Sequence, residues 1–139
     1  MATTTATITL ASSDIADNAI SLSNTSTLTT AGTDTGITET TGLSRMKTVT
    51  GTNTTLLASG SGVGLNVTAD KSAKVYIKNI NDRGDGTKYV TILLQAIEIG
   101  RLYGGDWMFI PWAAGGSNDI EFTASDTTET ILEYTCFYE

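Results

Sequence analysis

The residue types that usually carry catalysis are scarce in this sequence, and no spacing groups them. There is no histidine, and Cys136 is the only cysteine. A histidine general base, a Ser-His-Asp triad, a Cys-His pair and a zinc site of Cys and His ligands are therefore excluded. Carboxylates such as Asp106 with Asp119 or Glu121 could support glycosidase chemistry, but no spacing rule selects a pair. We predict that the protein is not an enzyme and has no catalytic residue, metal site or cofactor.

One turn carries two short motifs that are known for binding. Arg83-Gly84-Asp85 is the tripeptide that integrins recognise, and Asp82, Asp85 and Thr87 could offer oxygen ligands to calcium. Glycine and aspartate are also common in turns for backbone reasons alone. The segment lacks the alternating acids and the distal glutamate of an EF-hand loop. We therefore interpret residues 81–86 as an ordinary turn.

Residues 107–112, Trp-Met-Phe-Ile-Pro-Trp, are the most informative segment. As a strand they would be apolar on both faces, whereas an antiparallel sheet usually has one wet face. One face must meet the core, and the other must be covered by the N-terminal segment or by a partner subunit. Pro111 indicates a sheet edge, a bulge or a strand end. Three interpretations stay open: core packing, a subunit interface, or a sugar-stacking platform of Trp107, Trp112 and Tyr103.

The composition favours a single β domain. The chain has 139 residues, and 20 of its 27 threonines lie before residue 70. Threonine is branched at Cβ and suits a pleated strand better than a helix. A chain of this length corresponds to one domain.

Short apolar runs separated by turn residues predict an all-β fold from residue 43 onward. We expect strands at 73–79, 89–94, 97–103, 107–112, through Ile120, Phe122 and Ala124, and at 131–138. The first two are predicted to pair as a hairpin across the turn at 81–86. This spacing indicates an antiparallel β-sandwich or a jelly-roll-like barrel over residues 43–139.

Residues 1–42 are predicted to be an extended, threonine-rich N-terminal arm. Thr7-Ile8-Thr9-Leu10 alternates hydroxyl and apolar side chains, as a strand does. Ile8, Leu10, Leu22 and Leu28 are sparse apolar anchors in a polar stretch. They are too few to build a core, so the arm must lie on its own domain, lie on a neighbouring subunit, or stay mobile.

The charges are unevenly distributed along the chain. Residues 1–44 have four acids and no basic residue, residues 45–101 have all eight basic residues, and residues 102–139 have seven acids. Copies could associate head to tail through such patches, although scattered surface charge is the simpler interpretation. The net charge of −7 disfavours nucleic acid as a partner. No apolar run approaches 18 residues, so no membrane-spanning helix is expected.

Several segments resemble a known class of proteins. They are Leu22-Ser23-Asn24-Thr25, Thr40-Thr41-Gly42-Leu43-Ser44-Arg45, Lys74-Val75-Tyr76-Ile77-Lys78-Asn79, Gly100-Arg101-Leu102-Tyr103-Gly104-Gly105-Asp106-Trp107-Met108-Phe109-Ile110-Pro111-Trp112, Leu132-Glu133-Tyr134 and Phe137-Tyr138. Together they look similar to small virion structural proteins of tailed bacteriophages, including phages of cyanobacteria. The resemblance implies a β-rich capsid decoration (cement) protein, often trimeric, or a neck or tail component.

We therefore expect a decoration protein that binds the outer surface of the capsid shell and stabilises it. Its expected partners are the major capsid protein and sister subunits of a homotrimer, and its expected location is the exterior of the virion. The alternatives are a neck, tail or fibre component and, from another class, a carbohydrate-binding module. The predicted interface consists of Ile8, Leu10, Leu22, Leu28, Tyr103, Trp107, Phe109, Pro111 and Trp112.

Overall fold

The computed structural model describes residues 3–13, 20–29, 39–48, 51–59, 73–84, 86–115, 117–125 and 129–138. The regular structure within these ranges is entirely β. The strands are β1 (Thr3–Ser12), β2 (Ile20–Thr29), β3 (Glu39–Thr40), β4 (Ser44–Thr48), β5 (Thr54–Leu57), β6 (Ala73–Asn79), β7 (Tyr89–Leu94), β8 (Ile97–Tyr103), β9 (Trp107–Trp112), β10 (Ile120–Ala124) and β11 (Thr130–Tyr138).

Nine of these strands form two antiparallel sheets that pack as a sandwich. The first sheet has the order β5-β10-β7-β8, and the second has the order β3-β11-β6-β9, with β4 also paired to β11. The core between them comes from alternating positions of both sheets. Val75 and Ile77 on β6 and Val90 and Ile92 on β7 are all fully buried there. The predicted all-β antiparallel sandwich is therefore confirmed.

The predicted hairpin of residues 73–79 and 89–94 is wrong. Both strands form with the expected bounds, but β6 pairs with β9 and β11, whereas β7 pairs with β8 and β10. The two strands lie in different sheets and contribute to the same core instead of sharing a ladder. Each has one apolar face, and a core between two sheets buries such faces as well as neighbouring positions in one sheet would.

The tight hairpin in this region is β7–β8, and its turn is unusual. Gln95 and Ala96 connect the strands with φ of 50° and 61°. Two consecutive left-handed residues are typical of a type I′ turn, whose twist matches that of the paired strands. Asparagine and glycine usually occupy these positions because other residues are strained there.

The chain crosses from the first sheet back to the second at Gly104 and Gly105. Asn79, at the end of β6, is buried and donates from Nδ2 to the carbonyl of Leu102 over 2.9 Å. A Cβ at Gly104 would collide with the carbonyl oxygen of Asp82. Glycine is therefore required where the β8–β9 connection passes over the end of β6.

The described part of the predicted N-terminal arm forms a hairpin. β1 and β2 pair over ten positions, from Thr3 with Thr29 to Ser12 with Ile20, as a separate two-stranded sheet. After it, β3 adds Glu39 and Thr40 to the edge of β11. The N-terminal segment thus supplies both a separate ribbon and a short edge strand of the sandwich.

Candidate functional site

The outer face of β9 carries a surface that we name the aromatic strip: Trp107, Phe109 and Pro111 with Tyr76 of the adjacent β6. Trp107 is 50% exposed and Pro111 is exposed, while Phe109 is half-buried. Tyr76 lies directly across from Phe109, and its ring centroid is 6.4 Å from that of Trp107 at an angle of 34°. β9 pairs with β6 alone among the described strands, so the strip runs along a sheet edge. Pro111 fits there because an edge position needs no backbone donor.

Two lysines flank Tyr76 on the same face. Lys74 lies across from Pro111, and Lys78 lies across from Trp107. Neither lysine forms an ion pair with another residue of the described ranges. Burial, and secondarily the charge of Glu133, raises the pKa of Tyr76, so this ring stays neutral. The strip therefore combines apolar rings with available positive charge.

Arg45 and Lys47 of β4 lie further along the same outer face, and both are paired. Arg45 donates from Nε and Nη2 to one oxygen of Glu133, and Lys47 pairs with Glu129. Both partners of the Lys47–Glu129 pair are exposed, and such a pair contributes little to stability, whereas Glu133 is only 14% exposed in its pair with Arg45. Lys74 and Lys78 are thus the cations that this face can offer to a partner.

Trp112 does not belong to this surface. It lies in β9 but points to the opposite face, is 4% exposed and packs in the core. Its Nε1 donates to the carbonyl of Asn118 over 2.7 Å, which satisfies the indole within the chain. Asn118 in turn donates from Nδ2 to the carbonyls of Ala113 and Gly115. Trp112 therefore anchors the turn after β9 and is not available as a contact residue.

Tyr103 lies on the outer face of the first sheet. Its ring is 5.4 Å from that of Tyr89, directly across from it, and the Arg101 guanidinium sits 4.7 Å above the Tyr89 ring. Trp107 faces outward from the second sheet and Trp112 faces inward. The three rings of the proposed sugar platform therefore lie on three different surfaces.

The N-terminal hairpin has two chemically distinct faces, because directly opposed residues of an antiparallel pair point the same way. Its apolar face carries Ile8, Leu10, Ile20 and Leu22, and Leu10 is paired with Leu22. These side chains are 38%, 57%, 42% and 59% exposed. Leu28 occupies the position opposite Thr4, and its side chain is outside the described part of the chain.

The other face of the hairpin, which we name the hydroxyl face, consists mainly of threonine and serine, with Ala11 near its end. Its described side chains include Thr5, Thr7, Thr9, Ser23 and Thr25, and the hydroxyls of Thr7 and Thr25 are 3.1 Å apart. The alternation of Thr7-Ile8-Thr9-Leu10 predicts this division for β1. Sequence reasoning missed its partner β2, because Ile20 to Thr29 is mostly polar and carries no core pattern.

A cleft of about 450 Å³ separates the hairpin from the edge of the sandwich. Ile8 and Leu10 line it from the hairpin, and Leu102 and Trp107 line it from the sandwich, with Arg83, Arg101 and Asp106 as its charged residues. The apolar face of the hairpin thus borders the Trp107 end of the aromatic strip but leaves space between them.

A larger cleft of about 630 Å³ opens between the two sheets near β4 and β5. Met46, Leu56, Leu57 and Tyr134 form apolar walls, and Asp119 is the carboxylate that borders it. Sequence reasoning did not identify this opening, because its walls come from strands that are distant in sequence.

The three carboxylates considered for catalysis each hold a turn or a loop. Asp119 accepts hydrogen bonds from the backbone and hydroxyl of Ser59 at 2.7 and 2.6 Å, which lowers its pKa. Asp106 accepts from the Tyr103 backbone and Arg83, and Glu121 accepts from the backbone of Ala96. In the described ranges no three His, Cys, Asp or Glu residues are grouped as metal ligands.

The turn with the integrin-like tripeptide is partly described. Arg83 is bound to Asp106 over 3.2 Å, and Gly84 is exposed, while Asp85 lies outside the described residues.

Within the described ranges there is no helix long and apolar enough to cross a bilayer. A scan of known protein-family models and a search of curated proteins found no match to this chain.

Proposed function

We propose that the protein is a virion structural component, a capsid decoration protein that binds the outer surface of a bacteriophage head and stabilises the shell. The observation that carries the proposal is the pair of exposed apolar surfaces, the aromatic strip and the apolar face of the hairpin. Contiguous apolar patches of this kind mark interaction sites in soluble proteins. A protein that acts by contact area needs such surfaces and no reactive groups.

The aromatic strip is suited to a partner that supplies apolar contacts and carboxylates. Buried aromatic anchors dominate the energetics of many protein interfaces. Lys74 and Lys78 flank the rings and can pair with acidic side chains of the coat protein. We propose the major capsid protein as the occupant of this strip and sister subunits as the second partner, in a homotrimer.

When many copies bind one shell, weak individual contacts are sufficient for stable attachment. Once several copies bind a common lattice, the effective concentration of each contact rises, and avidity exceeds single-site affinity. A net charge of −7 suits the exterior of the head, away from packaged DNA.

Electron microscopy of virions labelled with gold-conjugated antibody against this protein tests the proposal. We expect label distributed over the whole head. Label confined to the neck, tail or fibres would instead support the alternative virion component. Absence of the protein from purified virions would refute both versions.

A binding measurement then tests the strip itself. Phe109→Ala should weaken binding to heads that lack the protein by about 30-fold, which corresponds to the loss of a central aromatic anchor. Ile97→Ala is the matched control, because Ile97 is 68% exposed but lies at the tip of the β7–β8 hairpin in the other sheet. Equal loss in both variants would contradict a specific role for the strip.

A further inference from the structure

The apolar face of the N-terminal hairpin needs a cover that a single chain does not complete. An isolated two-stranded ribbon is marginally stable in water, and such ribbons persist when one face packs against another surface. Here four apolar side chains remain more than a third exposed, and Leu10 and Leu22 are more than half exposed.

The cleft identifies the surface that fits this face. Ile8 and Leu10 already point at Leu102 and Trp107 of the same chain. The contact is open, because a cleft remains and half of the Trp107 surface stays in water. The two apolar surfaces therefore match in chemistry and position, but the intrachain arrangement does not bring them into full contact.

Charge favours the same pairing. Residues 1–44 contain four acids and no lysine or arginine. Lys78, directly across the ladder from Trp107, has no ion pair within the described ranges, whereas Arg83 and Arg101 at the border of the cleft are paired with Asp106 and Glu98. The attraction of the acidic N-terminal segment to this surface therefore rests on Lys78.

We propose that the N-terminal hairpin of one copy docks its apolar face on the Leu102–Trp107 edge of a second copy. In this arrangement, a closed contact between two chains replaces the open contact within one chain. Nine residues separate Thr29 from Glu39, and a connection of that length can span at most about 30 Å. Repeated around a rotation axis, this head-to-tail exchange gives a closed ring.

This pairing assigns different partners to different surfaces. The hairpin binds a sister copy at the Leu102–Trp107 edge, and the outer part of the strip at Tyr76 and Phe109 remains for other partners. This pairing rests on the sister-subunit contact of the proposed homotrimer, and it can fail while binding to the capsid is retained.

Sedimentation equilibrium of the purified full-length protein is the first test. We expect the wild type to be an oligomer and Leu10→Asp to weaken its association by about 100-fold, because a charge would be buried at the contact. Trp107→Ala, on the receiving surface, should also weaken it. Thr7→Asp is the matched control on the hydroxyl face of the same strand and should leave association unchanged.

Crosslinking between two differently substituted copies is the second test. Asn24→Cys lies beside Ile8 on the apolar face, and Arg83→Cys lies at the border of the cleft. Mixing these two variants and adding a short bismaleimide should give a covalent dimer of one chain of each kind. Cys136 is buried and does not compete in the folded protein.

Three results would overturn the proposal. They are a wild-type monomer at high concentration, an oligomer that both Leu10→Asp and Trp107→Ala leave intact, and a crosslink that forms only within a chain carrying both cysteines. Leu10 is 57% exposed, so the sandwich should fold normally in the aspartate variant, and circular dichroism can verify this.

Discussion

Asn79 Nδ2 donates to the carbonyl of Leu102 over 2.9 Å, and this bond joins the end of β6 in one sheet to β8 in the other. Asn79 is 1% exposed, and its Oδ1 accepts from the backbone and side chain of Asn81 at 3.1 and 2.5 Å. Both the amide nitrogen and the amide oxygen of this side chain therefore have hydrogen-bond partners within the protein, at a position that water does not reach. The relationship fixes the point at which the chain passes from the first sheet to the second.

We predict that Asn79→Ala lowers the free energy of unfolding by about 2 to 3 kcal/mol, because it leaves the buried carbonyl of Leu102 without its donor. Urea denaturation followed by circular dichroism measures the change. Asn53→Ala is the matched control, since the Asn53 side chain accepts from Thr123 at an exposed position. It should cost less than about 1 kcal/mol, and an equal loss in both variants would refute the special role of Asn79.

The left-handed turn at Gln95 and Ala96 offers a stabilising change. The double substitution Gln95→Asn with Ala96→Gly should raise the free energy of unfolding by about 1 to 2 kcal/mol, because asparagine and glycine tolerate positive φ. Thermal and urea unfolding measure the gain. Ala113→Gly is the control, because Ala113 is exposed and is not among the positive-φ residues. Glycine there should slightly destabilise the protein by adding unfolded-state entropy.

The strands were predictable from the sequence because their signal is local. Residues 73–79, 89–94, 97–103 and 107–112 alternate apolar and polar side chains or sit between turn residues, and the strands have these bounds. Pairing was not predictable in the same way. β6 and β7 each present one apolar face, and this pattern is the same whether two strands are neighbours in a sheet or opposed across a core.

The candidate site was only partly predictable. If residues 107–112 form a strand, Trp107 and Trp112 must point to opposite faces, but the sequence does not show which of them points inward. The hydrogen bond from Trp112 to the Asn118 carbonyl depends on the turn that follows, which composition alone does not define. The turn at Gln95 and Ala96 went unrecognised because neither residue is typical of a type I′ turn.

The opposite placement of the two tryptophans predicts different access to solvent. In Trp112→Phe, the remaining Trp107 should be quenched by acrylamide several times more strongly than the remaining Trp112 in Trp107→Phe, because their exposures are 50% and 4%. Steady-state fluorescence at low protein concentration measures both quenching constants. Similar constants in the two variants would contradict the assignment of inner and outer faces.

The dependence of acrylamide quenching on protein concentration in the same variants gives a further prediction. If copies associate through the Leu102–Trp107 edge, quenching of Trp107 should fall as the protein concentration rises, while quenching of Trp112 should stay constant. Leu10→Asp combined with Trp112→Phe should abolish this dependence. Protection of Trp107 that persists in the combined variant would point to a different covering surface.

Cys136 should be chemically inert in the folded protein and should make stability depend on alkaline pH. Burial raises the pKa of its thiol from an ordinary 9.0 to about 12, so the folded state keeps the proton that the unfolded chain loses. The contribution to stability is complete below pH 9 and is lost as the pH rises from 9 to about 12, by up to about 1.4 kcal/mol per pH unit. Urea titrations across this range measure this loss.

Cys136→Ala should be less stable at pH 8 because of the cavity it leaves, yet it should lose less stability between pH 9 and 12 than the wild type. Tyrosines ionise in the same range in both proteins, so the difference between the two curves isolates the thiol, and parallel curves would contradict the burial of this group.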